Sequence, residues 1–362
     1  MRLEPLDVYN YLYKRQIVDA SEVIKGNYLI QPVRTRNNIM KIVIGPNNSL
    51  FIKQMASDLK TNNLFEREIN TYHLFKENKS LALMSKYVPP LIHCDKENNI
   101  MVTELFYGAK SLHDYYMNTK KFDLNLAEEQ AKILSTYHVS YNKLNNFDKL
   151  PKNLPWILQL DKHKAHEFFV GNKASTAVIS LIKENNQLQE TLIGLAKKWQ
   201  FTHLIHGDVK WVNFLISKDE QSQKLIDWEL ADIGDPIWDI AGLLQSYITA
   251  WLFGFDNNDP FNQSLPKDME PYDIKHMKPS AKAFLFKYLE LQNYPRESYN
   301  AFFIKTMQLT AARIIQTSVE GTTYSLKVEA NNIRCVQLAF NIIKNPLQAL
   351  SELFNIKTEV YV

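Results

Sequence analysis

The residues most able to do chemistry crowd into one stretch, positions 204–241, LIHGDVKWVNFLISKDEQSQKLIDWELADIGDPIWDIA. An apolar run ends at His206 and Asp208, a basic residue follows at Lys210, and an amide, Asn213, stands where the next apolar run begins. Residues 214–217 and 224–226 flank the polar turn 218–223 and read as a hairpin that delivers Asp227 at the end of its second strand. On that layout Asp208, Asn213 and Asp227 are expected to converge on one edge of a small sheet. Two carboxylates and an amide are hard oxygen ligands, a set that suits Mg²⁺ rather than zinc. Magnesium held this way keeps waters and completes its shell with phosphate oxygens, which is what phosphoryl transfer requires. Taken singly, each residue has a plainer reading, since an Asp after an apolar strand is commonly a turn former or helix cap. Only their order along the chain argues for a site.

Such residues need a frame. Residues 28–33 (YLIQPV), 39–44 (IMKIVI) and 49–54 (SLFIKQ) are short β-branched or aromatic runs, separated by RTRNN and the turn GPNN, and read as an antiparallel meander. Residues 63–76 place Leu64, Ile69, Tyr72 and Phe75 at helical spacing. Beyond Pro89 and Pro90, residues 92–94 and 100–105 read as two further strands. After Gly108 the pattern turns helical, over 124–144, 178–199, from about 239, 279–292, 298–319 and 331–354. In residues 300–319 the stripe Phe303, Met307, Thr310 and Ile314 reads as core, as do at least two of Trp211, Trp228 and Trp238. The expected fold class is therefore α+β, with a small β-rich lobe at 1–107 and a larger helical lobe at 108–362.

HGDVKWVN followed by LIDWE resembles the catalytic and metal-binding loops of the aminoglycoside phosphotransferase and choline kinase family, a branch of the protein-kinase-like fold. His206, Asp208, Asn213 and Asp227 match its H-x-D-x-x-x-x-N and downstream Asp, and GDPIWD (234–239) resembles its GDP-x-x-D extension. The matched segment is about a tenth of the chain. The resemblance implies ATP and Mg²⁺, with Asp208 as base toward an acceptor hydroxyl, Asn213 and Asp227 as metal ligands, and Lys210 beside the transferring phosphoryl group. It makes His206 and Asp239 braces of the loop rather than catalysts. It also implies a lysine on the third strand held by a glutamate of the next helix, here Lys53 with Glu68 in preference to Glu66; Lys41 lies on the second strand. The segment around Glu104 to Phe106 corresponds to the hinge that meets adenine, with Met101 as an apolar neighbour.

One departure stands out. No G-x-G-x-x-G lies between the first two strands, where the loop reads Arg34-Thr35-Arg36-Asn37-Asn38. Without glycine the backbone cannot approach phosphates closely, so Arg34 and Arg36 are expected to reach them through side chains.

Composition narrows the partners. Forty-two basic against 39 acidic residues leave a net charge of +3, too weak a field to suggest nucleic acid. The two cysteines, Cys94 and Cys335, belong to no Cys/His cluster, which argues against zinc and a disulfide scaffold. The first 16 residues lack the apolar core of a leader, and the apolar stretch 242–255 is too short to cross a bilayer, so a cytoplasmic protein without membrane partners is expected. The acceptor expected from the resemblance is a hydroxyl-bearing small molecule. In the loop 251–273, Asp256, Asp259, Asp268, Glu270 and Asp273 against Lys267 suggest a cationic one. IDWELADIGDPIWDIA also resembles kinase-like proteins of lanthipeptide-type biosynthesis, which implies Ser or Thr of a precursor peptide instead. A scaffold that binds nucleotide without transfer is the third reading; its mark, loss of Asp208, Asn213 or Asp227, is not seen.

Overall fold

The computed structural model describes residues 2–34, 36–56, 58–144, 149–160, 172–254, 273–322, 325 and 327–358, without the side chains of residues 34 and 59–62. In chain order the first elements are α1 (Pro5–Lys14), α2 (Ala20–Ile24), β1 (Leu29–Arg34), β2 (Asn38–Val43), β3 (Leu50–Gln54), α3 (Leu59–Glu77), β4 (Leu91–Asp95) and β5 (Ile100–Glu104). Then come β6 (Lys110–Ser111), α4 (Leu112–Thr119), α5 (Leu124–Tyr137), α6 (Lys173–Glu184), α7 (Asn186–Lys198), β7 (His203–Ile205), β8 (Phe214–Ile216), β9 (Gln223–Leu225) and β10 (Asp232–Gly234). The chain closes with α8 (Ile237–Leu252), α9 (Ile274–Leu291), α10 (Tyr299–Gly321), α11 (Ala330–Lys344) and α12 (Pro346–Phe354).

The chain forms two compact units, the first of residues 1–115, 143–150 and 212–231, the second of 116–142, 151–211 and 232–362. In the first, an antiparallel sheet has the order β1-β2-β3-β5-β4. Period-2 alternation sorts its side chains: Met40, Ile42, Leu50, Ile52, Ile100 and Val102 face α1, where they bury Leu3, Val8, Tyr11 and Leu12. Each such apolar side chain contributes roughly 1.5–3 kcal/mol. Lys53, between Leu50 and Gln54 and opposite Ile39 and Met101, belongs to the other face. There α3 buries Phe65, Ile69, Tyr72 and Phe75, while Leu64, expected in that stripe, is only half-buried. A second sheet, β6-β8-β9, carries the 212–231 hairpin.

The second unit is helical around α8, whose residues from Ile237 to Thr249 are all buried; a helix apolar on every side must be central. Helix α10 packs on α8 and α11, and α9 packs on α5. Strands β7 and β10 pair beside them. Among the described residues no helix is long and apolar enough to cross a membrane.

Several expected elements are redrawn. The run 178–199 is two helices, because Asn185 leaves the helical conformation and its side chain caps α7 by accepting the Leu188 N–H. The run 331–354 breaks at Asn345, with Pro346 opening α12. Helix α5 stops at Tyr137, since His138 turns out of the helix. Neither α1 nor α2 is among the expected elements, although Val8, Tyr11 and Leu12 stand at helical spacing behind Pro5. The boundary near 107 also shifts: the first unit runs to 115 and includes 212–231, which the sequence assigned to the helical lobe. The physical reason is local. β8 pairs with β6, the Leu225 N–H donates to the Tyr87 carbonyl at 2.7 Å, and Trp228 packs edge-on against Phe75.

Candidate active site

In the first unit the chemistry gathers around one ammonium. Strand β3 buries Lys53 to 4% exposure and aims its Nζ at three carboxylates: Glu68 Oε2 at 2.8 Å, Asp227 Oδ1 at 2.6 Å and Glu229 Oε2 at 3.0 Å. Burial pulls the Lys53 pKa down, but Glu68, Asp227 and Glu229 outweigh it and the net shift is upward. Burial likewise lifts the Glu68 carboxyl, to about 7, against the pull of Lys53. Glu68 is 2% exposed on the inner face of α3, whereas Glu66, two residues earlier, points to solvent.

Asp227 reaches Lys53 through an unusual backbone. It adopts φ 70° and ψ 58°, left-handed values that are uncommon for a residue with a side chain but tolerated by Asp. A single turn of 3₁₀-helix, Trp228–Leu230, follows at once and returns Glu229 to the same ammonium. The hairpin is anchored by Trp228, fully buried, whose Nε1 donates to the Leu225 carbonyl at 3.1 Å. Asn213 is buried at the base of β8, and its carbonyl accepts the Ile226 N–H at 2.9 Å, one residue before Asp227. Arg36, in the glycine-free loop, donates to Glu229 Oε1 at 2.8 Å; the side chain of Arg34 lies outside the described part of the chain.

Glu68, Asp227 and Glu229 each present an oxygen within 4.8 Å of the others. Closely set carboxylate oxygens are a hard donor set of the kind that suits Mg²⁺. Where the resemblance sets the hinge, Glu104 and Phe106 line a cavity of about 220 Å³ with Pro46, Pro90 and Lys224. The N–H groups of Glu104 and Leu105 donate to the carbonyls of Pro90 and Ser49, while among the described residues no acceptor meets the N–H of Phe106. Lys224 Nζ donates to the Val88 carbonyl at 3.0 Å and lies 5.5 Å from the Phe106 ring centre; burial lowers its pKa and Glu104 works against that.

In the second unit a backbone loop is held by side chains. Gly207 sits at φ 81°, a left-handed value that favours glycine and turns the chain between His206 and Asp208. Asp239, fully buried on α8, accepts the His206 N–H at 2.6 Å and the Gly207 N–H at 2.9 Å. His138 Nε2 lies 3.0 Å from the same carboxylate, and its Nδ1 lies 2.8 Å from the Tyr288 hydroxyl. A carboxylate only accepts, so Nε2 carries the proton facing it. The Asp208 N–H donates to His206 Nδ1 at 3.2 Å, which makes His206 a loop brace, and Asp208 Oδ2 meets Lys210 Nζ at 2.6 Å. From α10, the buried Arg313 donates to the carbonyls of Gly207 at 3.2 Å and Val209 at 3.1 Å.

The structure thus brings together Lys53, Glu68 and Asp227 in one unit, and Asp208 with Lys210 in the other. Sequence reasoning missed Glu229 and Arg313. Glu229 was findable as the second acid of IDWE. Arg313 stands next to a stripe read as core, and its only signal is a charge inside the apolar run LTAARII. Trp211, Trp228 and Trp238 are all buried. The expected acids Asp256, Asp259, Asp268 and Glu270 lie outside the described residues, and Asp273 accepts the Lys275 N–H at the start of α9.

Residues 122–267 match the model of the phosphotransferase enzyme family. Among solved structures, a choline kinase from Cryptosporidium parvum is 14% identical with a TM-score of 0.61, the match covering 97% of this chain and 98% of that one. An ethanolamine kinase from Plasmodium vivax is 15% identical with a TM-score of 0.57, covering 90% and 85%. The choline kinase LicA from Streptococcus pneumoniae is 17% identical with a TM-score of 0.52, covering 92% and 99%. No curated protein is similar to the chain in sequence at a significant level. The structural likenesses show the kinase-like α+β fold, and with the family match they bear out the resemblance read from the sequence.

Proposed function

We propose that the chain, whose residues 122–267 match the model of the phosphotransferase enzyme family, is a kinase that moves the γ-phosphoryl group of ATP to an alcohol of a small molecule. The observation that supports this most is Lys53 joined to Glu68, Asp227 and Glu229, because it ties the strand lysine to both the helix glutamate and the metal hairpin. In this reading Lys53 takes the α- and β-phosphates, and Glu68 keeps its ammonium aimed. Asp227, with Asn213 and Glu229, holds Mg²⁺, which when bound offsets charge on the phosphate oxygens. Arg36 leaves Glu229 for a phosphate, and the Phe106 N–H supplies a donor for the adenine edge.

Asp208 accepts the proton of the acceptor hydroxyl while the acceptor oxygen bonds to the γ-phosphorus. The bond from that phosphorus to the β–γ bridging oxygen breaks, and ADP leaves with its electron pair. Lys210 steadies charge on the transferring group. Rate enhancement in this chemistry is mostly positioning and electrostatics, which suits a site built from fixed charges.

The test is transfer of label from γ-labelled ATP with Mg²⁺ to choline, ethanolamine, kanamycin and a wider alcohol library. Label on an alcohol oxygen is the expected result. Magnesium-ATP binding with no label reaching any alcohol would overturn the reading.

A further inference from the structure

Arg313 presents a charge that the fold has gone out of its way to bury. It lies on α10 within LTAARII, 4% exposed, among Thr310, Ala311, Ala312, Ile314 and Ile315, which are buried as well. A charge placed there is costly unless its partners are fixed. Among the described residues its hydrogen-bond partners belong to a single three-residue segment. Nη1 donates to the Gly207 carbonyl at 3.2 Å and Nη2 to the Val209 carbonyl at 3.1 Å, on either side of Asp208, whose Oδ1 lies 3.5 Å from Nη2. The indole of Trp238 covers the guanidinium with its ring centre 4.9 Å from Cζ, and donates its own N–H to the Gly207 carbonyl at 3.0 Å. Among the described residues the Nε of Arg313 meets no acceptor. The fork is spent on the loop.

A second element makes room for it. A Cβ on Gly242 of α8 would stand 2.5 Å from the Val209 carbonyl oxygen, 3.2 Å from Arg313 Nη2 and 3.4 Å from its Nε. The absence of a side chain at 242 is therefore what lets loop and guanidinium meet.

We propose that Arg313 is a positioning residue for Asp208: its planar fork clamps the two carbonyls flanking the base and so fixes where the carboxylate points. The inference rests on the reading of Asp208 as the base. A lysine at 313 keeps the charge but cannot grip both carbonyls in one plane. A base displaced by about 1 Å loses on the order of a hundredfold in rate.

The experiment measures single-turnover release of phosphate from magnesium-ATP, with water as acceptor, alongside the Kd of a fluorescent ATP analogue. Arg313→Ala is expected to slow turnover by about a hundredfold and Arg313→Lys by about tenfold, with nucleotide Kd within about twofold of wild type. On an Asp208→Ala background, Arg313→Lys is expected to cost nothing further, because residues acting as one unit are not additive. An undiminished rate in Arg313→Lys, or a full additional loss on the Asp208→Ala background, overturns the proposal. If Arg313→Ala fails to fold, Arg313→Lys, whose unchanged nucleotide Kd reports a folded chain, decides alone. Wild-type turnover in Asp208→Ala would instead remove the base assignment, and this inference with it.

Discussion

The two functional regions are held by opposite means. Around Lys53, charge holds charge: one ammonium meets three carboxylates, with Arg36 on Glu229, and on the proposed function these are partners that a phosphate or a cation would replace. Around Asp208, side chains hold backbone: Asp239 takes two N–H groups, while Arg313 and Trp238 take carbonyls. The difference teaches where change is expected on binding. On the function proposed above, the first region would exchange ion pairs with a triphosphate and the second would serve as a mount for the base.

The comparison breaks most plainly at Asp208. Replacing it by Ala is expected to lower the rate of transfer by about a thousandfold, the scale of general base catalysis, while nucleotide affinity by calorimetry stays near wild type. Full activity would leave the mount without a base to carry. Lys53→Met comes next. Three carboxylates then face one another without their cation, and removing one partner of a buried pair costs about 3–5 kcal/mol, read as a lower urea midpoint at unchanged slope. An unshifted midpoint would mean that the cluster is solvated rather than locked.

Asp239 sharpens the other half. Burial alone would raise its carboxyl, but the hydrogen bond and charge of His138, the charge of His206 and the N–H of His206 bring it below its ordinary value of 3.8. A depressed pKa contributes stability that is complete above that value and fades as the pH falls below it. Acid unfolding followed by circular dichroism should therefore steepen below about pH 4 in the wild type and be flatter in Asp239→Asn; identical curves would deny the carboxylate its share. The smallest effect is expected at Arg36, whose side chain is largely exposed. Arg36→Ala should raise the KM for magnesium-ATP no more than about fivefold, in line with an exposed pair. A much larger rise would show that the loop grips phosphate more firmly than its lack of glycine implies.

The meander, the helix bearing Glu68 and the hairpin bearing Asp227 were legible because their signals are local: alternation, helical spacing and turn residues. Lys53 and Glu68, 15 residues apart, could be paired before any coordinates only because the family resemblance sets a third-strand lysine against a glutamate of the next helix. Glu229 was visible as the second acid of IDWE, but that it turns back to the ammonium depends on a left-handed residue at 227, which no alternation pattern announces. Arg313 depended on a contact spanning about a hundred positions, and periodicity says nothing about what faces a helix across the core. The breaks at Asn185 and Asn345 were hidden by continuous apolar spacing, and side-chain capping overrode it.

The edge-on seat of Trp228 against Phe75, ring centres 4.9 Å apart, has a mechanical consequence. Control by swinging the glutamate-bearing helix outward, a common way of silencing kinases, would here have to unseat an indole and drag the aspartate along. Helix and hairpin should travel as one lever, so an inhibitor that wedges them apart would take Lys53 and Asp227 out of register in a single stroke.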